Sequence, residues 1–269
     1  MADIPSRRNR LTTLSTAGGK LLHLEYHAAE PALVQLARDL GQSGKRDTTA
    51  FVTTERQNRA AGGLVLLPKK ENVLSLSLLL FPLMNVSRSG ILRAAAAVAA
   101  CRVLTHTSSF HPRIVFPGAV QSEDRDVAAF HLEGTLEEDG FWRYLVLSVA
   151  FSLEPEYYTE ALSDVVMRVF TNRSSDVADQ VTEEFLSEFF ALYESPAPEV
   201  LAEEYNRLAT FVGKRARALV TEAPSADGKR PEKKLVAGRL LGLDRDGRMV
   251  LEGKTGRYAI NDLSQLKLL

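Results

Sequence analysis

The chain has 269 residues, 33 Lys and Arg against 34 Asp and Glu, and a single cysteine. The near-zero charge balance excludes a whole-molecule field that would steer the protein to nucleic acid or an anionic membrane, so partners have to be sought locally. One cysteine excludes an internal disulfide framework and a cysteine zinc site, and fits a reducing compartment. The length suits one sizeable domain followed by a small one. The opening MADIPSRRNRLTTLSTAGGK lacks an apolar core of signal-peptide length, and the apolar run Val73 to Met84 is too short to span a bilayer. A cytoplasmic protein with no membrane anchor is expected.

Residues 1–19 are small, polar and basic and read as a flexible tail, too short for a DNA-binding domain. Leu21 to His27 alternates as a strand. Ala32 to Leu40 places Leu33, Leu36, Ala37 and Leu40 on one helical face, closed by Gly41. Thr48 to Thr54 is the next strand, running into a loop with Arg59, Gly62 and Gly63, and Asn72 to Phe81 is an apolar strand. Ser89 to Leu104 reads as a buried helix, capped by Ser87 or Ser89, because alanine has the best helix propensity and allows close packing. Cys101 within it reads as a small core residue, and His106 and His111 as loop histidines without further ligands for a metal.

The stretch Arg113 to Pro155 reads as three successive strands, with Asp139-Gly140 as a hairpin signal between AAFHLEGTL and FWRYLVLSVAFSL. Tyr144 to Phe151 is almost continuously apolar, as expected of a strand buried on both faces. Beyond it, Leu162 to Val169, Asp176 to Tyr193 and Glu199 to Ala209 read as helices. The aromatic stripe Phe185, Phe189, Phe190 and Tyr193 reads as core. Short strands at 216–221, 235–243, 249–252 and 258–260 then form a small barrel, interrupted by the mobile basic loop EAPSADGKRPEKK. The fold class is therefore α+β: a mixed β-sheet flanked by helices on one face, then an SH3-like barrel. The expected divisions are a tail at 1–19, a main domain at 20–212 and the barrel at 213–269.

Several of these segments resemble biotin protein ligases. Arg113-Ile114-Val115-Phe116-Pro117-Gly118-Ala119 falls where that family has K-W-P-N-D, and Asp126 to Glu133 falls on its K-L-A-G-I-L-V-E. Ser148-Val149-Ala150-Phe151-Ser152 falls on G-I-G-I-N. The segment Glu55 to Gly63 falls on the adenylate loop Q-x-x-G-R-G-R-x-G-R, and His27 to Glu30 on D-S-T-N. Near the end, Gly238-Arg239-Leu240-Leu241-Gly242-Leu243-Asp244-Arg245-Asp246-Gly247 is similar to G-x-x-x-G-I-D-x-D-G, and Glu204 to Arg215 resembles the junction into the family's C-terminal barrel.

The resemblance implies ligand-binding positions at Arg59, Gly62, Gly63, Arg113, Phe116, Pro117, Ala128, Ser148, Ala150 and Ser152, and no metal ligands. It also places Asp126 where the family has its essential lysine. A cation there stabilises developing negative charge, and a carboxylate opposes it; losing one such group costs about two to three orders of magnitude in rate. Arg125, one residue earlier, is the obvious substitute, but a one-residue shift in a strand points to the other face. The resemblance thus implies a ligase-like protein without ligase activity, acting as a binding or scaffolding module for a protein partner such as a biotin-carrier-type domain. The alternative is a divergent active ligase using biotin and ATP with magnesium, its missing cation supplied by Arg59, Arg113 or Arg125. Bulk at Phe130 and Phe151 and side chains at Ser148 and Ala150 imply a filled cleft.

Overall fold

A computed structural model describes residues 10–16, 18–28, 30, 32–55, 57–70, 72–107, 111–116, 118–153, 176–195, 197–221, 233–261 and 263–269. Eight strands form the main sheet, β1 (Arg10–Ser15), β2 (Leu21–Tyr26), β3 (Thr49–Thr53), β4 (Val73–Leu80), β5 (Arg113–Val115), β6 (Ala119–Ser122), β7 (Arg125–Leu136) and β8 (Trp142–Ser152). Their order is β1-β2-β3-β4-β8-β7-β6-β5. The β2–β3 pair is parallel and the others are antiparallel, so the sheet is mixed. The helix α1 (Leu33–Gln42) makes the β2-to-β3 crossover, which a parallel pair requires.

Strand alternation sorts the side chains onto two faces. One face carries Leu22, Leu24, Val52, Leu74, Leu76, Leu78, Leu147, Val149 and Phe151. It is covered by α2 (Ser89–Thr107), α3 (Asp176–Tyr193) and α4 (Pro198–Leu208). α2 is buried all round because it is packed between the sheet and the other two helices, which is why its run of small alanines carries no polar stripe. Phe185 of α3 meets Phe151 edge-on at 5.4 Å and stacks on Phe189 at 6.0 Å, so the aromatic stripe is core as expected. The other face is covered over β3, β4 and β8 by α1, through Leu33, Val34 and Ala37 against Phe51, Leu79, Tyr144 and Val146. Helices on one face alone was therefore the wrong expectation.

Four further expectations are corrected. The supposed tail contains β1, an edge strand paired along its length with β2 and turned by Gly19 at φ +75°; only its alternating RLTTLS announced it. Gly41 lies inside α1, where a Cβ would press on the Tyr144 ring at 2.8 Å, and the left-handed residue after the helix is Gly44. The single strand expected from Arg113 is two, β5 and β6. A two-residue turn at Glu123 and Asp124, both at positive φ, then leads into β7. Such a turn normally shows itself by Asn-Gly or Asp-Gly, which this sequence lacks there. Thr107 ends α2, so His106 is helical and not in a loop, and it meets Glu184 at 2.8 Å. The expected helix 162–169 and nearly all of the basic loop lie outside the described residues, while Lys233 and Lys234 at its end belong to a strand.

A second, antiparallel sheet follows: β9 (Arg215–Thr221), β10 (Lys233–Leu243), β11 (Met249–Gly253), β12 (Gly256–Ile260) and β13 (Leu266–Leu268), ordered β12-β11-β10-β9-β13. It is consistent with the expected barrel, with β13 as an added strand. Close contacts lock it to the main body. Asn206 of α4 accepts a hydrogen bond from the Leu243 amide at 2.6 Å and donates to the Leu243 carbonyl at 2.9 Å. Gly90 packs so tightly on the Gly247 carbonyl that any Cβ at Gly90 would overlap it.

Candidate functional site

The face opposite α2 has a floor of small side chains at its centre. Ser75 and Ser77 of β4 stand across from Ala150 and Ser148 of β8, and Ala150 stands across from Ala129 of β7. The hydroxyls of Ser77 and Ser148 share a buried hydrogen bond of 3.2 Å. The alternation in VLSLSLLL places serines on one face and leucines on the other, a signal for Ser75 and Ser77 that the sequence reading passed over.

The chain between β3 and β4 lies down on this floor. Gln57 is its staple: the buried side-chain oxygen accepts from the Leu33 amide at 3.0 Å, and the amide nitrogen donates to the Glu30 carbonyl at 2.8 Å. Gln57 thus caps α1, whose own N-cap, Ala32, has no side chain to do so. The next residues wind into a short 3-10 turn in which the amides of Ala60, Ala61, Gly62 and Gly63 bond to Asn58 Oδ1, Asn58 O, Arg59 O and Asn58 O respectively. Leu67, with Leu66 beside it, then packs on Val73, Ala129 and Ala150. The space left among Leu64, Leu66, Ser75, Ser148 and Ala150 is about 10 Å³, about one water molecule.

The matched residues do not all converge here. Ser148 and Ala150 form the floor, and Ser152 lies on the same strand face. Arg59 is exposed on the turn, and Gly62, at φ +87°, faces Gln35 of α1. Ala128, in contrast, is buried on the helix-covered face, as are Phe130 and Phe151, so neither phenylalanine fills the cleft. Leu66 and Leu67 do that instead. Phe116 packs edge-on against Phe211 at 5.7 Å, close to where the second sheet begins. Arg113 is exposed in a separate recess beside Cys101, Arg102 and Leu208. Pro117 lies outside the described residues.

A β-bulge at Val127 decides which charge reaches the floor's side. Gln121 pairs with Asp126, two residues along β6 from Ala119, so Asp126 shares the face of Ala119 and Ala129. It is exposed and accepts a hydrogen bond from Gln121 at 2.9 Å. Arg125 pairs with buried Ser122 and belongs to the opposite side. At the other end of β7, Glu133 forms a two-pronged ion pair with Arg38 of α1, at 2.5 and 2.8 Å, and lies 3.5 Å from His131. The His131 ring and the Arg38 fork together hold the Glu133 carboxyl well down, at about 2. Burial pushes the Cys101 thiol up to about 12, which removes it as a nucleophile. No group of His, Cys, Asp and Glu that could hold a metal ion exists among the described residues, and none of their helices is long and apolar enough to cross a membrane.

No family model and no curated protein matches this sequence. Solved structures do match. The biotin protein ligase of Aquifex aeolicus is 14% identical with a TM-score of 0.58, covering 91% of this chain and 97% of its own. Its complex with biotin and ATP gives a TM-score of 0.59 at 14% identity, covering 91% of this chain and 98% of that one. A biotin protein ligase-like protein of unknown function from Silicibacter sp. is 16% identical with a TM-score of 0.59, covering 88% and 93%. At such identities the likeness speaks for architecture: this chain has a biotin/lipoate ligase-like fold.

Proposed function

We propose that the protein is a ligase-like binding or scaffolding module that does not itself form an acyl-adenylate. The observation that carries this reading is the state of the loop between β3 and β4. A phosphate cradle works through backbone amides left free to point at the anion, and here the amides of residues 60 to 63 are all bonded within the turn. Two further features support it. Leu66 and Leu67 occupy the floor on which a ligand would lie. The one charged group that the β7 bulge brings to that side beside the floor is the carboxylate of Asp126, which would repel both an acid and a triphosphate. The residues present therefore do not fit ATP with magnesium.

The test is purified protein with biotin, ATP, magnesium and a biotin-carrier domain, read by avidin blotting and by calorimetry. Product no higher than in a no-enzyme control, together with no submicromolar heat from biotin, is expected. Robust biotinylation abolished by Arg59→Ala or Arg125→Ala would establish an active ligase in which an arginine replaces the missing cation. Asp126→Lys alone is expected to leave the protein silent, because the amides and the covered floor remain.

A further inference from the structure

The whole-chain charge balance conceals a strong asymmetry. Residues 213–269 carry thirteen Lys and Arg against seven Asp and Glu, and the preceding residues carry twenty against twenty-seven. Five of those thirteen cations lie together on one outward face of the second sheet. Along β9 the outward residues are Arg215, Arg217 and Leu219; along β10 they are Lys233, Leu235, Ala237 and Arg239; on β13 it is Lys267. Arg215 stands directly across from Arg239, and Arg217 directly across from Lys267.

Like charges in directly opposed positions destabilise a sheet, and two such pairs side by side demand a counter-charge. Among the described residues none of these five cations makes an ion pair, although one carboxylate, that of Glu252, stands in register with Arg239. Glu252 reaches Arg257 at 3.4 Å. Beside these cations lies an exposed apolar pair, Leu219 directly across from Leu235.

We propose that this face docks an acidic polypeptide segment of a partner protein, with carboxylates meeting the arginines and apolar side chains covering Leu219 and Leu235. The proposal rests on the reading of the chain as a binding module and names the chemistry of its partner. Alternate residues of an extended chain are about 7 Å apart. That is the spacing between Arg215 and Arg217 along β9, so acidic side chains at every second position can meet both, each in a forked pair. Nucleic acid fits less well, because the outward side chains of β9, β10 and β13 include no aromatic ring for a base to stack on. A bilayer fits less well too, because its grip scales with inserted apolar area and two leucines in a flat sheet offer little.

Fluorescence anisotropy of the full chain with a labelled peptide of repeating Glu-Leu-Glu-Ser provides the test, beside a repeating Lys-Leu-Lys-Ser peptide, duplex DNA and phosphatidylserine vesicles. Saturable, salt-sensitive binding of the acidic peptide alone is expected, weakened about tenfold or more by Arg217→Glu and by Arg239→Gln. Arg217→Glu sets a carboxylate opposite Lys267, so its melting temperature should hold or rise while binding falls. A melting temperature that falls in step with binding would mean the face is merely structural. Absence of peptide binding, tighter binding of DNA or vesicles, or indifference to both substitutions overturns the proposal. Biotinylating activity in the assay above would overturn the module reading and leave the anisotropy result standing, so the two failures are separable.

Discussion

The helix-covered face of the eight-stranded sheet and its opposite face are built from the same strands but from different side chains. One presents leucine, valine and phenylalanine to three helices; the other presents Ser75, Ser77, Ser148, Ala129 and Ala150 to a loop. Large side chains fill the first face by interdigitation, so that its stability is the sum of many contacts. Small ones leave a trough on the second, and the chain fills it with Leu66 and Leu67. The small-residue floor of the second face is thus covered by the chain's own loop.

Truncation on the first face should be the costliest change. Phe185 is fully buried against Phe151 and Phe189, so Phe185→Ala is expected to lose about 3–5 kcal/mol in urea denaturation. On the second face Leu67→Ala should cost about 2 kcal/mol, the low end for a buried leucine, since a loop relaxes more readily than a helix against a sheet. If Leu67→Ala proves as costly as Phe185→Ala, the loop is core, and the contrast between the faces fails.

Much of the first face was legible in the sequence, because period is a local signal. The β7–β8 pairing, the buried strand β8, the alanine-rich α2 and the order of elements through the second sheet all follow from runs and turns. The second face was less legible. Which side of β7 carries Asp126 depends on a bulge that no single residue type announces, and the turn at Glu123 and Asp124 uses residues that do not advertise positive φ. Gln57 capping a helix twenty-four positions earlier is a tertiary contact with no local trace. Phe130 and Phe151 differ again: strand parity alone, counted from the small residues of the floor, puts both on the helix-covered side and outside the cleft.

The ion pair at the edge of the floor gives a pH signature. Arg38 and His131 hold the Glu133 carboxyl at about 2, below its unfolded value of about 4.3. Its contribution is therefore present above the unfolded value and lost as pH falls through the folded one. Because the carboxylate is partly exposed, solvent screening discounts that contribution to about 1 kcal/mol. Glu133→Gln should lower stability by that amount at pH 7, measured by urea denaturation, and the gap between the two proteins should close between about pH 5 and pH 2. A gap independent of pH would mean that Glu133 acts through packing and not through its charge.

The smallest expected effect, that of removing Ser77 and Ser148 together, separates the faces by chemistry. Ser77 and Ser148 share one hydrogen bond beneath the loop. Ser148→Ala should strand the Ser77 hydroxyl in a space with no room for more than about one water, costing about 1–2 kcal/mol. Replacing both serines by alanine removes donor and acceptor together and should be nearly neutral. A double-mutant cycle by urea denaturation measures the coupling, expected to equal the two single costs combined, about 2–4 kcal/mol. The same pair of substitutions at Leu76 and Leu147 on the other face should add without such rescue, since each leucine lost there leaves its own cavity. If the serine double variant is instead as destabilised as the sum of its singles, water already reaches the floor, and the loop covers the trough more loosely than Leu66 and Leu67 indicate.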